Sequence, residues 1–189
     1  CFVLNTGASI PAVGLGTWQT DGDLCKAAVK TALDIGYRHL DCAHLYGNEG
    51  EVGQAIAETL SNKSNLRRED LFVTSKILCT TTNNAKKRVE ASVSVSLKNL
   101  SLSYLDLYLI HWPAQAQVGD ATDPPYYKQE KSPPRFKEAW QAMEGLLEKG
   151  LVRAIGVSNF NISQLKELLS FAKIVPAVNQ VSSITLCRV

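Results

Sequence analysis

Four polar residues that can move or stabilise a proton lie at the ends of strand-like runs in this sequence, or close beside them. Asp41, Lys76 and His111 are spaced thirty-five residues apart, twice over, and Tyr46 follows Asp41 by five. One strand–helix–strand unit takes about thirty residues, so this spacing predicts neighbouring strands of a parallel sheet. We expect the four side chains to converge at one end of that sheet, which is typical of an enzyme.

These four residue types suit the reduction of a carbonyl group. That reaction needs a hydride, a proton for the developing alkoxide and a polar group that holds the oxygen. Tyr46 is the best proton donor, and a nearby Lys76 cation would favour its phenolate form. Asp41 would keep Lys76 charged and in place, while His111 would orient the carbonyl oxygen. Because no side chain donates a hydride, the reaction requires a nicotinamide cofactor.

Each of the four residues also has a structural interpretation when taken alone. Asp41 could cap the turn that follows its strand, and Lys76 could be a solvated strand terminus. Tyr46 could be a half-buried packing residue, and His111 could be a histidine with satisfied hydrogen bonds at a strand end. The common register of all four residues favours a catalytic site over these separate explanations.

A metal-dependent hydrolase is a further alternative, because His39, Asp41, His44 and His111 are all possible ligands. The sequence has no HxH pair on a strand, and the Lys76 cation would repel a metal ion. The pattern therefore predicts no metal site.

The composition is that of an ordinary globular protein with a single domain, residues 1–189. Apolar residues make up 45% and charged residues 20% of the chain. A net charge of +2 offers no broad field for nucleic acid or an anionic membrane, and no apolar run is long enough for a membrane span. Five cysteines, at positions 1, 25, 42, 79 and 187, form no CxxC pair, which indicates free thiols and a cytoplasmic location.

Strands and helices are predicted to alternate along the chain. A short hairpin covers residues 1–11, turns at Asn5-Thr6-Gly7 and precedes a first strand, AVGLGT. The strands HLDCA, LFVTSK, LDLYLIH, AIGVSN and AVNQV follow, with helical patterns between them. This alternation predicts right-handed crossovers and a parallel sheet with its helices outside.

Apolar periodicity predicts five helices. The first covers about 22–35, with Leu24, Ala28 and Ala32 facing inward and Gly36 as its end. The second begins at Asn48, which forms a capping signal with Glu51. The inward residues of the other four helices are Val52, Ile56 and Leu60; Val89, Val93, Leu97 and Leu100; Phe136, Trp140, Met143 and Leu147; and Ile162, Leu165, Leu169 and Ala172.

Six segments together resemble the aldo-keto reductases. They are VGLGTW at 13–18, GYRHLDCAHLYGNE at 36–49, LFVTSK at 71–76, LDLYLIHWP at 105–113, AIGVSNF at 154–160 and VNQV at 178–181. The resemblance implies a (β/α)8 barrel of the TIM type behind an N-terminal hairpin. It also implies reversible, NADPH-dependent reduction of small-molecule aldehydes and ketones, with Asp41, Tyr46, Lys76 and His111 as the catalytic residues.

The same resemblance assigns further site residues. Ser158, Asn159 and Gln180 match positions that hold the nicotinamide carboxamide, and Thr17 and Asp41 lie beside the cofactor. Ser158 and Asn159 could also cap the helix that begins near 161, and both roles are compatible. The residues expected at the substrate are two aromatic pocket walls, a leucine where many relatives have tryptophan, and a nearby histidine: Trp18, Trp112, Leu78 and His44.

Two stretches depart from a complete barrel of this family. Residues 113–135 form a long irregular segment, either a lid or binding loop on the active-site side or a surface insertion. After VNQV the sequence continues as a divergent tail, 182–189, so we expect an incomplete barrel of about six of the eight strand–helix units. An alternative function is then a catalytically silent isoform that binds a partner, or itself, through open strand edges.

Overall fold

Six parallel strands form one sheet in the computed structural model of the chain, which describes residues 1–62, 65–78, 85–113 and 136–181. Each strand pairs with the next one along the chain, so the order across the sheet is the order in the sequence. Two further strands form the N-terminal hairpin. In chain order the strands are β1 (Phe2–Val3), β2 (Ser9–Ile10), β3 (Leu15–Gly16), β4 (His39–Asp41), β5 (Phe72–Ile77), β6 (Leu107–Ile110), β7 (Ile155–Ser158) and β8 (Asn179–Gln180).

The sheet curls around an interior rather than lying flat. Four strand-to-strand steps separate β4 from β8, which is about 19 Å in a flat sheet. The Nε2 atom of Gln180 on β8 nevertheless lies 3.2 Å from the Oδ1 atom of Asp41 on β4. Only a sheet bent into part of a barrel brings these two side chains together. The predicted incomplete barrel is therefore confirmed, with six parallel strands and the five helices between them in the described residues.

Helices cover the outside of the sheet, in the predicted alternation with the strands. They are α1 (Gly22–Asp34), α2 (Glu49–Asn62), α3 (Ala85–Leu100), α4 (Phe136–Glu148) and α5 (Ile162–Phe171), with short 3-10 turns at His44–Tyr46 and Arg68–Asp70. Gly36 ends the α1 segment in the left-handed region, at φ 107°, and the Tyr37 amide donates to the Ala32 carbonyl. That arrangement satisfies a helix end in the way the sequence predicted.

The main apolar core lies between the sheet and its helices. It is built from outward-facing strand residues and the inner faces of the helices, including Leu40, Tyr108, Val52, Val93 and Trp140. A second, smaller core fills the sheet interior, where Leu4 of the hairpin packs with Phe72, Leu107, Leu109 and Ala154. The hairpin therefore closes the amino-terminal end of the interior.

The hairpin is also tied to the segment that leads into the last strand. It turns at the predicted residues, with the Gly7 amide donating to the Leu4 carbonyl and Gly7 at φ 82°. The Asn5 side chain donates to the Val175 carbonyl at 3.1 Å. The first and last elements of the described fold are thus linked at the end of the sheet that lies opposite the four predicted catalytic residues.

Two predicted helix faces were wrong by about one residue. In α1, Leu24 is 68% exposed while Cys25 and Val29 are buried. In α5, Ile162 is 73% and Leu169 is 51% exposed, and Leu168 is the residue that is fully buried. A helix buries the face that meets the sheet and its neighbours, and apolar residues beyond that face remain in solvent.

Three predictions fall partly or wholly outside the described residues. They are the 113–135 loop beyond Pro113, the tail 182–189, and the thiols of Cys79 and Cys187.

Candidate active site

Lys76 is the centre of a buried polar cluster at the carboxyl end of the sheet. It lies on β5, and its side chain is 1% exposed. The ammonium donates to the Oδ2 atom of Asp41 at 2.9 Å and to the Cys42 carbonyl at 2.9 Å, and lies 3.3 Å from the Tyr46 hydroxyl. An ammonium has three protons, so these partners use its full donor capacity. Lys76 is therefore not the solvated strand terminus that was the alternative interpretation.

The strand register explains why these residues meet. Asp41 pairs with Thr74 across β4 and β5, which places the carboxylate close to the lysine two residues further along β5. Tyr46 is the last residue of the 3-10 turn that follows β4, and Gly47 ends that turn at φ 72°. The turn reverses the chain so that the phenol returns over the end of the sheet.

His111 lies at the end of β6, beside the tyrosine. Its ring meets the Tyr46 ring edge-on, with centroids 5.6 Å apart and an interplanar angle of 78°. Burial, together with the Lys76 cation, lowers the pKa of His111 to about 4, so the imidazole is neutral at pH 7. Its Nδ1 atom is buried without a hydrogen-bond partner in the described structure. His111 is thus not a histidine with satisfied hydrogen bonds.

Ser158, Asn159 and Gln180 gather at the ends of β7 and β8. The Ser158 hydroxyl and the Asn159 amide both donate to the Gln180 carbonyl, at 2.8 and 2.9 Å. The Asn159 side-chain amide donates to the His111 carbonyl at 2.9 Å, and the Gln180 amide reaches Asp41. This group is therefore continuous with the lysine cluster. The cap of α5 is a different residue, Asn161, whose side chain accepts from the Gln164 amide.

Thr17 attaches the end of β3 to the same cluster. Its backbone amide and its hydroxyl both donate to the Asp41 carbonyl, at 3.1 and 3.3 Å. The Asn48 side chain donates to the carbonyls of Thr17 and Thr20, each at 2.7 Å. The Oδ1 atom of Asn48 accepts no hydrogen bond in the described residues. Asn48 therefore directly precedes α2 as predicted, and its carbonyl accepts from the Val52 amide, but its side chain holds the loop after β3 instead of capping a helix amide.

The predicted substrate residues are less buried than the cluster. Trp18 is 65% and Trp112 is 37% exposed, and the Trp112 ring stacks on His111 with centroids 6.4 Å apart. Leu78 is partly exposed. The side chain of His44 is 49% exposed. Side chains of this exposure at the carboxyl end of the sheet are available to a ligand, and their roles remain predictions.

Glu49 is a buried residue near the site that the sequence analysis missed. It is 2% exposed, its Oε1 atom accepts from the Ser75 hydroxyl at 2.7 Å, and its Oε2 atom lies 3.6 Å from the Nδ1 atom of His44. The carboxylate raises the pKa of His44. An acidic residue in the first turn of a helix is common because it complements the helix dipole, so its position in the sequence gave no sign of burial.

Two features that are absent from the described residues bear on other functional classes. No group of three or more His, Cys, Asp or Glu side chains there is arranged to hold a metal ion. His39, one of the ligands considered above, instead contacts the Thr74 hydroxyl at 3.0 Å. None of the helices in the same ranges has the length and apolarity needed to cross a membrane.

Comparison with known proteins identifies the family. The sequence profile of the Aldo/keto reductase family matches residues 12–188. This chain belongs to the aldo/keto reductase family. The matched range extends into the tail that follows residue 181, and it contains all six segments on which the resemblance depended.

Several aldo/keto reductases are close relatives in sequence. Aldo-keto reductase family 1 member A1 of Bos taurus is 46% identical over 186 residues, which cover 96% of this chain and 56% of that protein. The related protein of Danio rerio, member A1-A, is 48% identical over 182 residues, or 95% of this chain and 56% of its own length. The chain therefore spans a little more than half the length of these relatives.

Solved structures of the family have the same fold. The aldose reductase of Schistosoma japonicum superposes with a TM-score of 0.85 at 43% identity, covering 96% of this chain and 60% of its own. An aldo-keto reductase of Bombyx mori, solved in complex with NADP, gives a TM-score of 0.82 at 40% identity, covering 97% of this chain and 58% of its own. The curled sheet described above thus corresponds to part of the barrel in these enzymes.

Proposed function

We propose that this aldo/keto reductase catalyses the NADPH-dependent reduction of aldehydes and ketones to alcohols. The observation that carries the proposal is the Tyr46–Lys76–Asp41 chain, with contacts of 3.3 and 2.9 Å and with the neutral ring of His111 against the tyrosine. It combines a proton donor, a cation that stabilises the phenolate, and a carboxylate that fixes the cation.

Each residue then has a defined part in the reaction. When bound, NADPH supplies the hydride that adds to the carbonyl carbon. Tyr46 gives its phenolic proton to the carbonyl oxygen as the alcohol forms, and Lys76 stabilises the phenolate that remains until water returns a proton. His111, as a neutral donor, fixes the oxygen in place before transfer. Asp41 keeps the ammonium oriented through the cycle.

The cofactor side of the site fits a carboxamide. The side-chain oxygens of Asn159 and Gln180 accept no hydrogen bond among the described residues, so both are available to an amide NH2. Together with the Ser158 hydroxyl they lie next to Asp41, and Thr17 closes the site from β3. We assign these residues to the nicotinamide end of NADPH. The NADP complex of the Bombyx mori relative supports this choice of cofactor.

The substrate we propose is a small carbonyl compound with an apolar or aromatic body. Trp18 and Trp112 supply exposed aromatic surface, and Leu78 leaves more room than tryptophan would at that position. His44 lies close to the turn that carries Tyr46, and we include it among the substrate contacts. Substrate identity should therefore follow the volume of the group attached to the carbonyl.

A thermal melt with and without excess NADPH tests the cofactor assignment. A ligand that binds only the native state raises the melting temperature by mass action. We expect a cooperative transition that moves upward with NADPH concentration in the wild-type chain. Absence of any shift at saturating NADPH would contradict NADPH binding by this chain.

Turnover of an aromatic aldehyde, followed by loss of NADPH absorbance, tests the reaction itself. The matched control is Tyr46→Phe, which removes the hydroxyl and retains the ring. Reduction by the wild-type chain that the control lacks supports the assignment. Equal rates in the two proteins would overturn it.

We also propose that copies of this chain associate through the outer strands of the described sheet, and that it is a cytoplasmic protein. Large apolar side chains are exposed beside both outer strands, with Val13 at 64% near β3 and Val181 at 53% after β8. Sedimentation velocity over a range of concentrations tests association, and a single monomer species throughout would contradict it. Cys1, Cys25 and Cys42 are free thiols, which agrees with a reducing compartment.

A further inference from the structure

A buried hydrogen bond lies on the outer face of the sheet, opposite the contact between Lys76 and Tyr46 on the inner face. Ser75 and Lys76 are consecutive residues of β5, so their side chains point to opposite faces of the sheet. Lys76 reaches the Tyr46 hydroxyl on the inner face. Ser75, which is fully buried, donates to the Oε1 atom of Glu49 at 2.7 Å on the outer face.

Glu49 and Tyr46 are carried by one short segment. Tyr46 ends the 3-10 turn, Gly47 and Asn48 follow, and Glu49 is the first residue of α2. Strand β5 therefore contacts this segment at two points. Lys76 contacts Tyr46, and Ser75 contacts Glu49. These contacts form a closed ring. It follows the backbone from Tyr46 to Glu49, the Glu49–Ser75 hydrogen bond and the backbone from Ser75 to Lys76, and it closes where the Lys76 ammonium meets the Tyr46 hydroxyl.

The Glu49 carboxylate is suited to such an anchoring role. It is buried, and it lies at the first turn of α2, where the helix dipole favours an anion. The Nδ1 atom of His44, the first residue of the 3-10 turn, lies 3.6 Å from the Oε2 atom of Glu49. The hydrogen bond from Ser75 to one carboxylate oxygen and the His44 ring beside the other hold the Glu49 side chain in a single position.

We propose that Glu49 and Ser75 are positioning residues that set the distance between the Tyr46 hydroxyl and the Lys76 ammonium. This inference deepens the proposed function and rests on it for its catalytic consequence. Neither side chain touches the reacting groups, because both act from the far side of the sheet. Loss of the hydrogen bond lets the turn at 44–46 shift while Lys76 stays fixed by Asp41 and Cys42.

Ser75→Ala is the variant that tests the proposal, with Ser96→Ala as its matched control. Both serines are fully buried, but the Ser96 hydroxyl has no hydrogen-bond partner in the described structure. Misplacement of a reacting group by about an ångström can lower a rate a hundredfold. We expect Ser75→Ala to lower kcat by roughly 10- to 100-fold with little change in the KM for NADPH, and Ser96→Ala to change neither.

A double-mutant cycle separates positioning from a general loss of structure. If Ser75 acts through Tyr46, adding Ser75→Ala to Tyr46→Phe lowers the residual rate no further. An equal fold-loss in both backgrounds would overturn the proposal. So would a Ser75→Ala enzyme with the wild-type kcat.

Amide hydrogen exchange tests the inference without any need for turnover. The Tyr46 and Gly47 amides donate to the Ala43 and His44 carbonyls, so their exchange rates report whether the turn is held. We expect faster exchange at these two amides in Ser75→Ala and wild-type exchange in Ser96→Ala. Unchanged exchange in Ser75→Ala would overturn the positioning role even in an active enzyme. A wild-type chain without turnover would instead refute the proposed function and leave the exchange result to decide this inference.

Discussion

The two ends of the curled sheet contain the same three kinds of side chain in different arrangements. At the carboxyl end, Asp41 pairs with Lys76 at 2.9 Å, next to Tyr46. At the amino end, Asp106 pairs with Arg68 at 2.7 Å, next to Tyr104. An aspartate, a cation and a tyrosine thus form a buried or half-buried group at each end.

The amino-end group is built as a stack. The guanidinium groups of Arg68 and Arg153 lie over the Tyr104 ring, 4.1 and 3.8 Å from its centroid. The Tyr104 hydroxyl is buried with no hydrogen-bond partner in the described residues. Asp106 also accepts from the Val73 amide at 2.9 Å. Arginine stays protonated at all ordinary pH values, so this group joins strands and transfers no proton.

In the carboxyl-end group the cation lies in a different position relative to the tyrosine. Its ammonium approaches the Tyr46 hydroxyl at 3.3 Å and lies 5.1 Å from the ring centroid. The cation therefore acts on the group that can ionise rather than only on the ring face. The two groups therefore share their residue types and differ in which atom of the tyrosine faces the cation.

Removing the two tyrosine hydroxyls is expected to give the largest contrast between the ends. Tyr46→Phe removes the proposed proton donor, so turnover should fall by about 10²- to 10⁴-fold. Tyr104→Phe removes a hydroxyl without a partner and should leave kcat unchanged. Steady-state kinetics on both variants checks this. A large loss of kcat in Tyr104→Phe at unchanged stability would break the comparison.

Removing the amino-end carboxylate should affect stability instead of chemistry. Asp106→Ala removes the carboxylate partner of Arg68 and the acceptor of the Val73 amide, and losing one partner of a buried ion pair costs about 3–5 kcal/mol in the free energy of unfolding. Urea denaturation measures this loss. The kcat of the molecules that remain folded is expected to match the wild type, and a stability change below about 1 kcal/mol would show that the pair contributes little.

Lowering the pH should reduce the free energy of unfolding through protonation of His111 at the carboxyl end of the sheet. Its folded-state pKa of about 4 lies below the ordinary value near 6.5, so the unfolded chain binds more protons between these pH values. Stability therefore rises with pH across this window and is lost as pH falls, by about 1–2 kcal/mol between pH 7 and pH 5. His39, whose pKa is lowered by burial, acts in the same direction, while the raised pKa of His44 acts in the opposite one.

Urea denaturation of the wild type and His111→Asn at several pH values isolates the His111 contribution. The variant should show a shallower decline from pH 7 to pH 5. Identical pH dependence in the two proteins would contradict a neutral, buried His111 in the native state.

The smallest expected effect concerns the outer arginine of the amino-end stack. Arg153 is 52% exposed and lies 3.9 Å from the Asp106 carboxylate, so solvent screens that pair. Its stacking on Tyr104 leaves a contribution of about 0.5–1 kcal/mol. Arg153→Ala should lower the free energy of unfolding by that amount in urea denaturation. A loss as large as that of Asp106→Ala would mean that the two arginines are equivalent, which the stack does not predict.

The sequence was sufficient to predict which residues meet at the carboxyl end of the sheet but not those that meet at the amino end. Asp41, Lys76 and His111 follow a regular spacing because consecutive parallel strands repeat the same geometry. Arg68, Tyr104 and Arg153 have no such spacing, since they come from a 3-10 turn and two loops that meet only in the folded chain. Pairing between elements that are distant in sequence leaves no local pattern to detect.

Local sequence patterns also failed to predict which side chains are buried. Periodicity placed Leu24 and Ile162 inward, yet both are exposed, because the buried arc of a helix depends on how its neighbours sit. Glu49 is buried although glutamate is rarely found in the interior, so its residue type gave no sign of burial. Its partner, Ser75, follows in the sequence only after the whole of α2.

The hydrogen bond between Gln180 and Asp41 has a consequence for the order of folding. It joins residues 139 positions apart, whereas Asp41 and Lys76 are separated by a single strand–helix unit. Contacts between distant residues form late because closing a long loop costs chain entropy before any contact offsets it. We expect the Asp41–Lys76 pair to assemble with its own strands and the proposed nicotinamide side to assemble only when β8 docks. In stopped-flow refolding, NADPH binding should then lag behind burial of Trp140, and simultaneous signals would contradict this order.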